Sequence, residues 1–445
     1  LDMMKQTSTA AFFILLLLGV ISEGLSQDRS RIDEQMNERV GHGLRPVNGS
    51  KETGTFSIPP GISLEKALSE QDAVAVALWN NTGLEATLAE LGLARADLIE
   101  AGQLVNPDLQ MLFGIDPKPF ELLLNVPIQA LWQRPKRVAA AKLDLERVSE
   151  SLVQNGIDLV RDVRIAHAEL TLAEKQAEIL FEAARLREKI ADLTDLRLKH
   201  GDIDALQSRL ARMEALTSKD TAARAQHQVG ITQERLRILL SLPQGEYPDF
   251  RTEPSQLLLE PPPGEEELIT AAILSRPDLG AAEMAVEAAG KRAGWERSRI
   301  FAYIAPQLST KGVGTSGIKS GPGVKAEIPL FNRNQGKISR AEAEMEQAAL
   351  RYLALVDQME FEVCNARRQL IQAQETLDRI RKNLLPTIEE TVSLAEKAYA
   401  NGDISYLDFQ LATVPVFDVR LSETNAEAAL RQALAELERA VGRRL

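Results

Sequence analysis

A chain of 445 residues has the length for two or three domains, but its composition argues against bulky globular cores. Hydrophobic residues make up 44% and aromatics only 4%, much of the rest being Ala and Leu, which suits thin, closely packed helices. The formal charge of −12 is spread along mixed-sign stretches, with no Lys/Arg stripe interleaved with aromatics, which argues against nucleic acid as a partner.

Near the start of the chain Lys5 precedes twelve apolar or small residues, Ala10 to Ile21. That run falls short of the roughly 20 residues a spanning helix needs and fits a secretory signal over 1–26, with Gly24 or Ser26 as cleavage candidates and an N-terminal anchor helix as the alternative. Residues 27–62 are polar, punctuated by Asn48-Gly49 and Pro59-Pro60, and read as a flexible leader. A first structural repeat is expected over 63–242. Ser63 is its first helix cap, Ala77, Leu84, Leu88, Leu91 and Leu98 keep helical spacing to about Val105, and Asn106-Pro107 stops the run.

From Leu109 the period changes to two. Leu109, Met111, Phe113 and Ile115 alternate with Gln110, Leu112 and Gly114. After Asp116-Pro117-Lys118-Pro119, Phe120, Leu122, Leu124 and Val126 do the same, which predicts a β-hairpin with one apolar face. Helix resumes near Lys136, and Val138, Ala141, Leu145, Val148 and Leu152 keep a 3-4 seam. The seam steps at Asn155-Gly156 and continues through Leu159, Val163, Ala166 and Leu170 toward His200. About 63 helical residues would measure roughly 95 Å, a rod rather than part of a compact domain. Helix returns from Leu206 to Leu240, and a proline-rich linker occupies 243–264.

The second repeat, 265–445, follows the same order. Its first helix, from Glu265 to about Phe301, carries a kink or break at Pro277, and Ala305-Pro306-Gln307-Leu308 answers Asn106-Pro107-Asp108-Leu109. Strand residues Val324, Ala326 and Ile328 alternate with Lys325 and Glu327, while 307–315 alternates poorly. A long helix then runs from Gln335 to Ala400, with Pro386 as an expected kink.

The two repeats share one turn. Leu198-Lys199-His200-Gly201-Asp202-Ile203-Asp204-Ala205-Leu206 is matched by Tyr399-Ala400-Asn401-Gly402-Asp403-Ile404-Ser405-Tyr406-Leu407, each position 201 residues later. Glycine after a helix supplies the left-handed backbone that ends it, and a following acid can cap the next helix, so both copies read as tips of helical hairpins.

Hairpins with one apolar face must pair or close their edges, and in a membrane only a closed barrel leaves no backbone group unpaired. Four strands are too few to close, so several chains would have to share one barrel. Periodicity alone fits a soluble four-stranded element as well; the secretory signal and the repeat favour the barrel.

The order of elements, the doubled turn and the run from Ile328-Pro329-Leu330-Phe331 through Asn332-Arg333-Asn334-Gln335-Gly336 resemble the TolC-type outer membrane efflux proteins, nearest their cation and multidrug efflux branch. The resemblance covers almost all of 63–445, and Gly402-Asp403-Ile404-Ser405 with Leu407-Asp408 is close to the family's tip pattern. It implies a mostly α chain with a small β part. Long coiled-coil α-helical hairpins would form a periplasmic tunnel, and four strands per chain would complete a trimeric twelve-stranded β-barrel in the bacterial outer membrane. It further implies a passive exit duct for small molecules or metal cations, with no cofactor and no catalysis. The implied partners are two further copies of the chain, outer-membrane lipid, a periplasmic adaptor (membrane fusion) protein and an inner-membrane transporter. The strands look short, the first tip is basic (Lys199, His200), and no cysteine near the signal could carry the lipid of some relatives. The alternative is a soluble periplasmic coiled-coil scaffold or adaptor-like protein.

Gly201, Asp202, Gly402 and Asp403 are the adaptor-docking candidates. Asp408, six residues beyond Gly402, is the pore-constriction candidate, because three copies would form a ring of carboxylates that favours cations. A helix-start acid stabilised by the dipole is the competing reading. Its first-half counterpart is Gln207, and the second acid of some relatives is Leu411 here. Lys325 and Glu327 are expected to face a lumen. His42, His167, His200 and His227 lack metal-ligand spacing, and no nucleophile elbow or phosphate loop is present. The single cysteine, Cys364, provides no disulfide framework.

Overall fold

The computed structural model describes residues 26–46, 56–64, 66–113, 120–245, 250–253, 262–300, 303–312 and 317–445. Residues 1–25 of the expected signal, the turn at 116–119 and parts of the proline-rich linker lie outside the described residues.

The leader expectation is corrected by a helix over 26–40 (α1). Ile32, Met36 and Val40 recur every fourth residue and are all buried, so this short stripe has a core to join. Met36 presses on Gly156, where an added Cβ would lie 2.7 Å from its sulfur. The step read in the seam at Asn155-Gly156 is therefore where α1 packs, and the helix runs through it unbroken.

The single helix expected from Ser63 to Val105 is three: α2 (Glu70–Asn80), α3 (Thr82–Leu88) and α4 (Glu90–Gly102). Ser69, not Ser63, is the first cap, its Oγ accepting from the Asp72 N–H at 3.1 Å. Asn81 leaves helical geometry, and its Oδ1 accepts from the Leu84 N–H at 2.9 Å. A residue that caps the next helix ends the previous one.

The remaining order is β1 (Asp108–Phe113), β2 (Phe120–Asn125), α5 (Ala130–His200), α6 (Ala205–Leu240), α7 (Glu265–Ser275), α8 (Pro277–Ser298), β3 (Ile304–Gly312), β4 (Ile318–Ala326) and α9 (Gln335–Arg379). A π-helical segment (Ile380–Leu384), α10 (Leu385–Ala400), α11 (Tyr406–Thr413) and α12 (Pro415–Val441) complete it. Of the kink or break expected at Pro277, the structure has a break, between α7 and α8. The expected Pro386 kink takes the form of the π segment, in which the Leu385 N–H reaches back five residues to the Ile380 carbonyl. Proline cannot donate, and its ring crowds the preceding turn, so the extra residue of a π turn relieves both problems.

The described residues form two compact units, and each draws on both sequence repeats. The first comprises Ala86–Gln154 and Pro277–Gln358 with the described residues up to Ile32. It holds one antiparallel sheet in the order β1-β2-β3-β4. Arg134 and Arg137 of α5 donate to the last carbonyls of α4, Gly102 at 2.6 Å and Ala101 at 2.8 Å, so cations close the negative end of that helix. Arg297 of α8 pairs with Glu342 of α9 at 2.6 Å.

The second unit comprises Asp33–Glu85, Asn155–Arg276 and Met359–Leu445. Val163, Leu170, Leu236, Leu268, Met359, Leu430 and Leu437 form its apolar core. Arg276, between α7 and α8, has its side chain 1% exposed and donates to Glu362 at 2.8 Å, while Arg439 donates to the same carboxylate at 2.7 Å and to Asp158 at 2.9 Å. His167, also buried, lies with Nε2 2.8 Å from the Leu68 carbonyl, beside a parallel bridge between Leu68 and Thr252. Among the described residues no helix is long and apolar enough to cross a membrane.

Candidate functional site

Register makes the two faces of the sheet unlike. Directly opposed residues share a face, and the pairs Leu109–Leu124, Met111–Leu122 and Phe113–Phe120 continue as Leu124–Leu308–Pro322 and Leu122–Thr310–Ser320. Ile318 and Val324 extend this face across β4, and Leu109, Phe113, Leu308, Ile318 and Val324 are all exposed. The poor alternation read in 307–315 is explained: Pro306, Leu308 and Thr310 hold the apolar face of β3, with Thr310 and Ser320 hydrogen-bonded at 3.0 Å. The opposite face carries Gln110, Glu121, Asn125, Gln307, Ser309, Lys311, Lys319 and Lys325, with Leu112 and Leu123 between them. Lys311 Nζ pairs with Glu121 at 2.9 Å.

Of the two strand candidates, Lys325 lies in β4 on this charged face, its Nζ 5.5 Å from the Tyr303 ring centroid. Glu327 falls just beyond the strand, where its N–H donates to the Tyr303 carbonyl at 3.0 Å. Glu121, Lys311 and Lys319 were not singled out from sequence, because only register shows that they share a row.

The two tips are built alike. Gly201 has φ +80° and Gly402 φ +82°. The Asp202 N–H reaches back to the Arg197 carbonyl at 3.0 Å, and the Asp403 N–H to the Ala398 carbonyl at 2.8 Å. Each is the long back-bond of a Schellman cap. The next helix is capped by Asp204 in the first copy and Ser405 in the second, and not by the acid that directly follows the glycine. Asp204 accepts from the Gln207 N–H at 2.8 Å. Gly201, Asp202, Gly402 and Asp403 are all exposed.

Asp408 completes a capping box. Its carboxylate receives the Ser405 hydroxyl at 2.7 Å and the Ser405 N–H at 3.2 Å, and its own N–H donates to Ser405 Oγ at 3.2 Å. These hydrogen bonds, helped by the Arg197 guanidinium of the first tip, hold its carboxyl below the ordinary Asp range. Around it Tyr399, Tyr406 and Phe409 form an aromatic cluster, with ring centroids 5.4 Å apart for the two tyrosines and 5.7 Å for Tyr399 and Phe409. The first tip has Leu198, Ala205 and Ser208 at the matching positions. Among the described residues no group of His, Cys, Asp and Glu could hold a metal ion.

Residues 268–443 match the family model described as outer membrane efflux protein. This match covers the second sequence repeat. Over 398 residues, 88% of this chain and 94% of the relative, it is 23% identical to the cobalt-zinc-cadmium resistance protein CzcC of Cupriavidus metallidurans. It is 27% identical over 280 residues to the cation efflux system protein CusC of Escherichia coli K12, a match spanning 59% of each. The fold is similar to the crystal structure of a membrane protein from Pseudomonas aeruginosa at a TM-score of 0.70 and 21% identity, covering 89% of this chain and 98% of that one. These likenesses make the chain a channel component of the bacterial outer membrane. Its helical hairpins and its four-stranded sheet are the two parts such a component needs.

Proposed function

We propose that three copies of this chain close one β-barrel and form the passive exit duct of a tripartite efflux system. One observation carries this reading: the sheet has an apolar face, a charged face and two open edges, β1 and β4. Exposed edges and an exposed apolar face are untenable in one molecule, in water or in lipid, and strands from further copies remove both. The charged face then lines the lumen and the apolar face meets lipid. Substrate reaches the duct from an inner-membrane transporter through a periplasmic adaptor that grips the tips around Gly201, Asp202, Gly402 and Asp403. The chain performs no catalysis of its own; the transporter supplies the energy. The names of the relatives, cobalt-zinc-cadmium resistance and cation efflux, support metal cations as cargo within the broader class of small molecules.

The test is the mass of the detergent-purified protein. Three chains of 49.0 kDa give about 147 kDa before signal removal. A stable monomer that stays soluble without detergent overturns the duct in favour of a periplasmic scaffold.

A further inference from the structure

One row of the sheet is basic. Leu112, Glu121, Lys311 and Lys319 are successive cross-strand partners from β1 to β4, so all four side chains stand on the charged face at one level. Lys311 and Lys319 are directly opposed, an arrangement that costs stability unless a counter-charge is shared between them. Glu121 is the one carboxylate in the row, and it stands on the far side of Lys311, to which it is paired. Among the described residues Lys319 forms no ion pair. Along β4 its neighbours on the same face are Gly321 and Gly323, so no side chain covers it from that direction, and an added Cβ at Gly321 would meet nothing within 4 Å.

The position of this row along the strands follows from the connections. The ends at Asp108, Asn125, Ile304 and Ala326 join helices, whereas the row lies one residue from the other ends, Phe113, Phe120, Gly312 and Ile318. At the helix-joined end the charges are different: Asp108 hydrogen-bonded to Asn125 at 3.3 Å, Lys325 over Tyr303, and Glu327. The two ends of one face thus differ in sign, in a chain whose formal charge is −12.

We propose that the Lys311–Lys319 row makes the turn end of the duct an anion-attracting ring that depletes free cations at the outer mouth. The inference rests on the barrel reading. Three copies bring six lysines and three glutamates to one level of the lumen, and a ring of net positive charge in a low-dielectric wall raises the local anion concentration. For a duct carrying metal cations outward, such a rim lowers the concentration of external cations at its entrance. It also fits cations leaving in complex with small anions.

Reversal potentials of the full-length protein in planar bilayers under a KCl gradient test this. Lys319→Gln should move the potassium-to-chloride permeability ratio toward potassium by at least about twofold near 0.1 M salt, and Lys319→Glu should move it further. The shift should fade near 1 M, where screening falls to about 3 Å. Lys325→Gln, at the other end beside Glu327, should move it less. Channels of normal conductance whose ratio is the same in wild type and Lys319→Glu overturn the inference alone. If the chain forms no channels and no trimer, the barrel reading falls and takes this inference with it.

Discussion

The two hairpins of this chain share a turn and differ in their shafts. At the tips the glycine φ agrees within two degrees, +80° at Gly201 and +82° at Gly402, with the same back-bond. Away from the tips the first hairpin is two unbroken helices, α5 and α6, and buries Ile190, Ala191, Thr194, Ser208 and Ala215 near its end. The second is interrupted on both sides, by the π segment before Pro386 and by the junction of α11 with α12 at Pro415, and α10 buries none of its residues. Leu384, Leu394, Tyr399, Tyr406 and Leu411 are all exposed there. A duplicated turn with unlike shafts separates two jobs. The turn reverses the chain in either context, while the prolines interrupt the second hairpin where the first runs on. Its uncovered apolar positions accord with burial against other copies in the proposed trimer.

The sharpest way to break the comparison is to move a proline. Arg185 occupies the position in α5 that corresponds to Pro386, 201 residues earlier. No π turn stands before it, so Arg185→Pro should cost about 3 kcal/mol or more. Thermal melting followed by circular dichroism, with hydrogen exchange over 171–200, should show the loss confined to the first hairpin. An unchanged melting temperature would mean that α5 tolerates a kink as readily as the second hairpin does.

Changing both glycines tests the likeness of the tips. Neither Gly201 nor Gly402 has anything within 4 Å of an added Cβ, so strain from the positive φ is the whole cost, about 1–3 kcal/mol for a residue such as Val. Gly201→Val and Gly402→Val should destabilise their own tips equally by hydrogen exchange. A large difference between the two would show that packing, and not the turn, distinguishes them. Export and crosslinking to the adaptor should fall in both variants if both tips dock.

A third test lies in the shaft of the first hairpin. His167 is 1% exposed, whereas its counterpart 201 residues later, Arg368, is exposed. Burial pushes the His167 imidazole below its ordinary value, partly opposed by the Leu68 carbonyl, and among the described residues Nδ1 has no hydrogen-bond partner. A second N–H on that ring would be a buried donor without an acceptor. Because the folded state holds the proton less tightly than the unfolded one, stability is fully present above about pH 6.5 and is lost as pH falls toward the depressed value. His167→Gln, whose amide can still donate to Leu68, should flatten the acid limb of a melting-temperature profile between pH 7 and 5. A limb of unchanged slope would assign the acid sensitivity to other groups.

How far this architecture can be read from sequence depends on the range of the interactions involved. The tips, the strand positions, the break at Pro277 and the disturbance before Pro386 are local: one glycine, one alternation or one missing N–H decides each. The step at Gly156 was visible too, but its cause is Met36, 120 residues away, and the stripe of Ile32, Met36 and Val40 was hidden in a polar stretch. The region after Ser63 misled because continuous apolar spacing masks a cap at Asn81. The basic row at Lys311 and Lys319 could not be seen at all, since two lysines eight positions apart meet only through β3–β4 register.

The smallest expected effect concerns Asp408, where the sequence left two roles open. The capping box favours the helix-start role in the single chain, with Ser405 supplying both the hydroxyl and the N–H that hold the carboxylate. Three carboxylates held close together resist joint ionisation, which raises their titration above the ordinary Asp range, yet in its own chain Asp408 is pulled the other way by Ser405 and Arg197. Its charge should therefore persist from the ordinary Asp range upward, and conductance should not vary there on its account. Asp408→Asn keeps an oxygen to accept from Ser405 while removing the charge, so it separates the two roles. If three copies converge on the lumen, this variant should lower cation preference in planar bilayers, Arg197→Gln should raise it, and Gln207→Ala should leave it unchanged. The change should be smaller than that of Lys319→Glu, because Arg197 already offsets part of the field. Equal selectivity in wild type, Asp408→Asn and Arg197→Gln would leave Asp408 as a helix cap alone. The uncovered positions Tyr399, Tyr406 and Leu411 would then be the place to look for the constriction.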